Sequence, residues 1–303
     1  MPPRHASSGG SGGGPISFFL VLLTILAFAW FASFQDKGNT GNPATGPKTA
    51  SKTVPSDNAK IGQELNKVAE DLNKAQALSE RSPSADYVSL SDGNAGYATN
   101  ASAEYVSFTV SKKAPAKILI TGWKLKSPVT GASVAIPQGI VLPFSGQVIS
   151  KENIFASPGD RVFIVTGRSP TGYSFRLNKC TGYFEQFQNF TPSLPLECPY
   201  ANAGPLPQPP NHLNDACLDY LDSISRCIVP VNNIPPGLSP ECSRYVSEKI
   251  SYGGCVSVHK NDPDFYKKEW RVYLDRDTEL WKDRREVIKL LDLNGKTVGA
   301  VSY

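Results

Sequence analysis

The closing stretch REVIKLLDLNGKTVGAVSY, Arg285 to Tyr303, decides the fold class, because it reads as two apolar strands joined through Asn294-Gly295. Asn-Gly is a strong hairpin signal: both central residues of a type I′ turn need positive φ, which Asn tolerates and Gly adopts freely. Working back from that hairpin, the period stays at two. EWRVYL (269–274) puts Trp270 and Val272 on one face and Tyr273 on the other. DRVFIVTG (160–167), AKILITGWKL (116–125) and EYVSFTV (104–110) are further β-rich runs, bounded by SPG and by turns at Gly122 and Gly167. Short strands with Pro and Gly punctuation predict a mainly β chain, a β-sandwich over residues 101–303. Trp123 and one of Trp270 and Trp281 belong in its core.

Something large interrupts the strands. All six cysteines fall between Cys180 and Cys255, and the first 179 residues contain none. The insertion, 178–265, opens with NKCTGYFEQFQNFTPSLPLECP (178–199), where Cys180 and Cys198 bracket Tyr183, Phe184, Phe187 and Phe190. Those four rings either cover the helical part of the insertion, which is the preferred reading, or form a binding patch. A Pro-rich connector, AGPLPQPPN (203–211), precedes two predicted helices. LNDACLDYLDSISRC (213–227) is capped by Asn214 or Asp215, and SPECSRYVSEKI (239–250) starts at Ser239-Pro240. If these helices lie antiparallel, Cys217 meets Cys255 and Cys227 meets Cys242, leaving Cys180 with Cys198.

The compartment follows from Ile16–Phe34, 19 residues without a charge. At about 1.5 Å per residue they make roughly 28 Å of helix, enough to cross the hydrocarbon core. Apolar sequence continues past the small-residue site Ala27–Ala29, which favours an uncleaved anchor over a cleaved signal. Arg4 in the tail at 1–15 votes for a cytoplasmic amino terminus. Either topology places residues 35–303 outside the cytoplasm, where six cysteines suit disulfides. Residues 35–60 read as a flexible linker. Ile61, Leu65, Val68, Leu72 and Ala75 then predict an amphipathic spacer helix over 61–81, with a short coiled coil as the sharper alternative.

AEYVSFTV, KILITGWKL, IPQGIVLP, ASPGDRVFIVTG and the closing hairpin resemble the lamin tail domain, over roughly residues 101–170 and 270–303. That resemblance implies an immunoglobulin-like β-sandwich and a role in tethering or binding, with no catalytic residues to carry over. In overall arrangement the chain is similar to single-span membrane-anchored bacterial proteins with such a domain. It departs from the family at VSKKAPAK (110–117) and in the cysteine-rich insertion.

Catalytic and cofactor signals are weak. The closest cysteines, Cys217 and Cys227, stand nine residues apart between them, against the two to four of a zinc pair. His259 near Cys255 and His212 near Cys217 offer Cys–His pairs, but disulfides would remove the thiols. NDPDF (261–265) and DRDTE (275–279) lack the Gly and terminal Glu of an EF-hand loop. No phosphate loop, G-x-S-x-G elbow or H-E-x-x-H occurs, so neither metal nor cofactor is expected. Net charge is +4, with 31 basic and 27 acidic residues interspersed, which argues against a nucleic-acid stripe.

The expectation is a non-catalytic, membrane-anchored extracytoplasmic module of the cell envelope. The bilayer holds it through 16–34, and a protein or envelope polymer is its ligand. Two rivals are a hydrolase that brings His212 or His259 to Asp275 or Asp283, and a nucleic-acid binder using Lys112, Lys113, Lys117, Lys124 and Lys126.

Overall fold

The computed structural model describes residues 62–68, 70, 80–143, 150–210, 212–231 and 234–303. The tail at 1–15, the apolar span at 16–34 and the linker at 35–60 lie outside the described residues. Residues 62–68 of the expected spacer helix are helical, with Leu65 and Val68 exposed. No helix among the described residues is long and apolar enough to cross a membrane.

The fold is mainly β. A five-stranded sheet runs in the order β1 (Val88–Ser91), β2 (Tyr105–Val110), β7 (Arg161–Val165), β9 (Tyr266–Tyr273), β8 (Phe175–Asn178). A four-stranded sheet runs β11 (Thr297–Ser302), β10 (Val287–Leu291), β4 (Lys124–Lys126), β5 (Ser133–Ala135), and β3 (Ile118–Leu119) pairs with β6 (Phe155–Ala156). Alternation sets which side chains turn inward. Val106, Phe108 and Val110 of β2, Val162 and Ile164 of β7, and Trp270 and Val272 of β9 share one core with Leu125, Ile288, Leu290 and Val298 of the second sheet. Trp123 and Trp281 join them, so both Trp270 and Trp281 are buried where one was expected.

Two features differ from the strand pattern as read in sequence. The β region begins before residue 101: Ser82 donates its backbone N–H to Thr297 at 2.8 Å, and β1 pairs with β2 from Val88↔Val110 to Ser91↔Ser107. The closing hairpin is not a two-residue type I′ turn. Only Gly295 of the Asn-Gly pair has positive φ, at 75°, and the ladder shifts register beside Leu291. The Asp292 carboxylate accepts from the backbone N–H groups of Asn294 and Lys296, each at 2.9 Å. That side chain favours a longer turn closed by a left-handed glycine, the bulged three-residue connection.

Buried carboxylates tie the long connections down. Glu104, fully buried, accepts from the backbone N–H groups of Leu280 at 2.8 Å and Trp281 at 3.1 Å. Glu286 accepts from Ser127 Oγ at 2.7 Å and from the N–H groups of Lys282 and Val287. Each anchors a loop whose backbone would otherwise be buried without partners.

The insertion leaves after β8 and returns as β9, which pairs parallel to β7 on one side and antiparallel to β8 on the other. It has its own core, built on the six cysteines with Tyr183, Leu213, Leu221, Tyr245, Val246, Ile250, Val256 and Phe265. A 3-10 helix at Thr181–Gln186 opens it, followed by α1 (Asp215–Ser223), α2 (Pro240–Lys249) and α3 (Tyr252–His259). The three α-helices of the insertion are capped alike. Asn214, Ser239 and Ser251 accept, through their side chains, the N–H of the third residue of the helix that follows: Cys217, Cys242 and Gly254.

The disulfides are Cys180–Cys255, Cys198–Cys227 and Cys217–Cys242, in place of the expected Cys180–Cys198, Cys217–Cys255 and Cys227–Cys242. The helix geometry explains the difference. Cys217 and Cys242 occupy the same position in the first turn of α1 and α2, so their bridge joins two helix starts. An antiparallel pair would instead have set the start of one against the end of the other. The second predicted helix also stops at Ile250, and Ser251 caps a new one, which carries Cys255 to the 3-10 helix beside Cys180. Gly254 permits that break, since a Cβ there would collide with the backbone carbonyls of Glu248 and Lys249.

Candidate functional site

The four aromatic residues proposed as a patch are divided by the fold. Tyr183 is buried in the insertion core, and burial pushes its phenol pKa up to about 12. Phe190 is buried on the outer face of the five-stranded sheet, edge-on to Phe175 at 6.1 Å. Phe184 is half-buried between the two, 6.0 Å from Phe175 and 4.3 Å from Tyr252. Only Phe187 stays outside, 61% exposed. The loop therefore covers both the helical insertion and the sheet, and its patch reduces to one ring.

Arg271 fixes that cover. It lies on β9 with Tyr273, on the face opposite Trp270, and is 2% exposed. Its guanidinium meets the Glu269 carboxylate at 2.7 Å, sits 4.5 Å over the Phe163 ring, and donates to the carbonyls of Pro192 and Ser193. A buried cation with a carboxylate, a ring and two loop carbonyls holds residues 190–194 against the sheet.

Gln186, the residue before Phe187, meets an apolar segment that sequence reasoning treated as a connection. Gln186 and Val229 exchange two hydrogen bonds, Val229 N–H to Gln186 Oε1 at 2.7 Å and Gln186 Nε2 to the Val229 carbonyl at 3.0 Å. That clamp sets Ile224, Ile228, Val229, Pro230 and Val231 around a groove of about 500 Å³ beside Tyr220 and Gln186. Ile228 is 40% and Val231 62% exposed. The signal was present in IVPV, 228–231, an apolar run bridging two helices with nothing local to bury it.

On its other side the same segment borders a charged cleft of about 440 Å³, lined by Lys179, Glu197, Arg226, His259, Asp264 and Lys267. Lys179 meets Asp262 at 2.8 Å and Asp264 at 2.5 Å, and Lys267 meets Glu197 at 3.1 Å. His259 Nδ1 lies 2.9 Å from Asp262. The hydrogen bond from Lys179, with that from His259, lowers the Asp262 pKa, and Asp264 is lowered by the same lysine.

The groups required by the rival readings are placed elsewhere. His259 is engaged with Asp262, Asp275 with Arg168 at 3.7 Å, and Asp283 lines a separate cavity with Tyr97 and Tyr303. His212 is exposed. Every cysteine is in a disulfide, and no cluster of His, Cys, Asp and Glu among the described residues could hold a metal ion. Of the five lysines, Lys124 and Lys126 share the outer face of β4, where Lys126 pairs in register with Lys289; Lys117 sits over the Phe155 ring at 4.6 Å. Lys112 and Lys113 lie in the turn after β2.

Compared with known proteins, the chain matches no family model, no curated protein and no solved structure.

Proposed function

We propose that the protein is a non-catalytic binding module, anchored in the membrane through residues 16–34 and displayed outside the cytoplasm, with the insertion as its recognition head. The observation that carries this reading is the groove between Gln186 and Val231. A head with a core closed by three disulfides still leaves Phe187, Ile228 and Val231 in solvent. Exposed apolar side chains clustered on a rigid support are characteristic of a protein contact surface. The rigid support is the sandwich, read here as immunoglobulin-like and akin to the lamin tail domain. Three disulfides with no free cysteine support an oxidising compartment.

The partner proposed for the groove is another protein of the envelope. The test places a photo-crosslinking residue at Val231 and, as a control, at Lys296 in the full chain, expressed in cells. Crosslinks to one partner protein from position 231, absent from 296 and lost when Ile228→Ser is added, are the expected result. Equal crosslinking from both positions would remove the groove from the proposal. Cytoplasmic thiol labelling of the unreduced chain would remove its placement.

A further inference from the structure

The geometry points to a second recognition element in the charged cleft: an anion site centred on Arg226, suited to the phosphate or carboxylate groups of an acidic envelope glycan. This inference rests on the extracytoplasmic placement proposed above but not on the apolar groove. Three observations carry it.

First, the ion pairs of the cleft leave one guanidinium without a direct partner. Lys179 is matched by Asp262 and Asp264, and Lys267 by Glu197, whereas Arg226 has no carboxylate partner among the described residues. Second, the Arg226 side chain is held in place. Its Nε donates to the Cys198 carbonyl, and its guanidinium lies 5.0 Å over the Tyr200 ring. Both contacts are fixed by the Cys198–Cys227 bridge, since Arg226 adjoins one cysteine and Tyr200 is two residues from the other. A guanidinium has five N–H donors, so one hydrogen bond to a carbonyl leaves most of the fork for a planar or tetrahedral anion. Ordering that side chain in advance reduces the entropy lost on binding.

Third, the surroundings suit a sugar better than a bare ion. Tyr200 is 63% exposed beside the cleft, and Glu197, Asp264, Lys267 and His259 supply both acceptors and donors. Hydroxyl groups on a pyranose need such a mixture, while an aromatic ring covers its apolar face. An acidic glycan would set one phosphate or carboxylate on Arg226 and direct its hydroxyls to the paired charges.

The experiment measures binding of the full chain in detergent micelles to three soluble polymers: a glycerol-phosphate polymer, a uronate polymer and neutral dextran. Binding to one or both acidic polymers, with none to dextran, is expected, and whichever binds identifies phosphate or carboxylate as the source. Arg226→Gln should weaken that binding at least tenfold. Arg226→Lys, which keeps the charge but not the fork, should give an intermediate value. A peptide map showing the three disulfides intact confirms that each variant is folded. Val231→Asp should leave polymer binding unchanged while abolishing the Val231-side protein contact, so failure of one reading is distinguishable from failure of the other. Dextran binding as tight as that of the acidic polymers, no binding to any, or full affinity in Arg226→Gln would each overturn the site.

Discussion

At the scale of single residues, the buried charges govern how the protein responds to its surroundings. Burial raises the Glu104 pKa above its ordinary 4.5, against the lowering effect of its bonds to Thr166, Leu280 and Trp281. Between the unfolded value and the higher folded one, the native state keeps a proton that the unfolded chain has released. Stability from this group is therefore present at lower pH and declines as pH rises through that window. Glu104→Gln abolishes the titration, but leaves one of two buried amides without its acceptor, costing about 1–3 kcal/mol. Urea midpoints at pH 4.5 and 7 should show the variant weaker at both, with a smaller drop between them than the parent; a parallel drop would mean that Glu104 does not titrate there. Arg271 is the second such residue. Arg271→Ala leaves Glu269 and the Pro192 and Ser193 carbonyls without their partner, an uncompensated buried group worth about 3–5 kcal/mol. Faster proteolysis within residues 187–194 should accompany that loss, since the same guanidinium holds the loop.

At the scale of elements, the cysteines interlock the insertion. Cys180–Cys255 encloses the other two bridges, and Cys198–Cys227 crosses Cys217–Cys242 in sequence. A peptide map under non-reducing conditions should recover these three pairs, and a Cys217–Cys255 peptide would disprove the arrangement. With a sequence separation of 75, Cys180–Cys255 closes the longest loop, worth about 4–5 kcal/mol in the chain-entropy account against about 3–4 for Cys217–Cys242. Thermal unfolding of the paired Cys→Ser variants should keep that order. The elements themselves were largely legible. Alternation located β2, β7, β9, β10 and β11, and Asn214 and Ser239-Pro240 marked the starts of α1 and α2, because caps and periods are local. The pairing of cysteines was not, since it depends on a helix break at Ile250 that only the packing of α3 reveals. YVSLS, 87–91, went unread as β1 because its partner is β2, beyond a turn-rich stretch. The groove at 224–231 is hidden for a similar reason: an apolar connection looks like core until the fold leaves Ile228 and Val231 exposed.

At the scale of the whole molecule, the insertion and the sheets are joined through β9. β9 follows the insertion in sequence, yet lies inside the sheet between β7 and β8, so a central strand enters after the cysteine-rich segment is traversed. The outer face of that sheet, with Val165, Phe175, Leu177 and Tyr273, is in turn covered by Phe190 and Leu194 of the opening loop. The two parts nevertheless differ in what stabilises them. The two larger sheets share an extensive apolar core, whereas six of the fourteen buried residues in the insertion's core are cysteines. Small cores of that kind depend on their bridges. Reduction should therefore loosen the molecule unevenly. Amide hydrogen exchange in reductant is expected to accelerate over 213–259 by orders of magnitude, while β2, β7, β9 and β10 keep their protection. Protection lost together across both parts would show that β9 makes them one cooperative unit. Protection kept in α1 to α3 would show that the helices need no bridges. The expected outcome separates a head that oxidation must assemble from a stem that folds on apolar contacts alone.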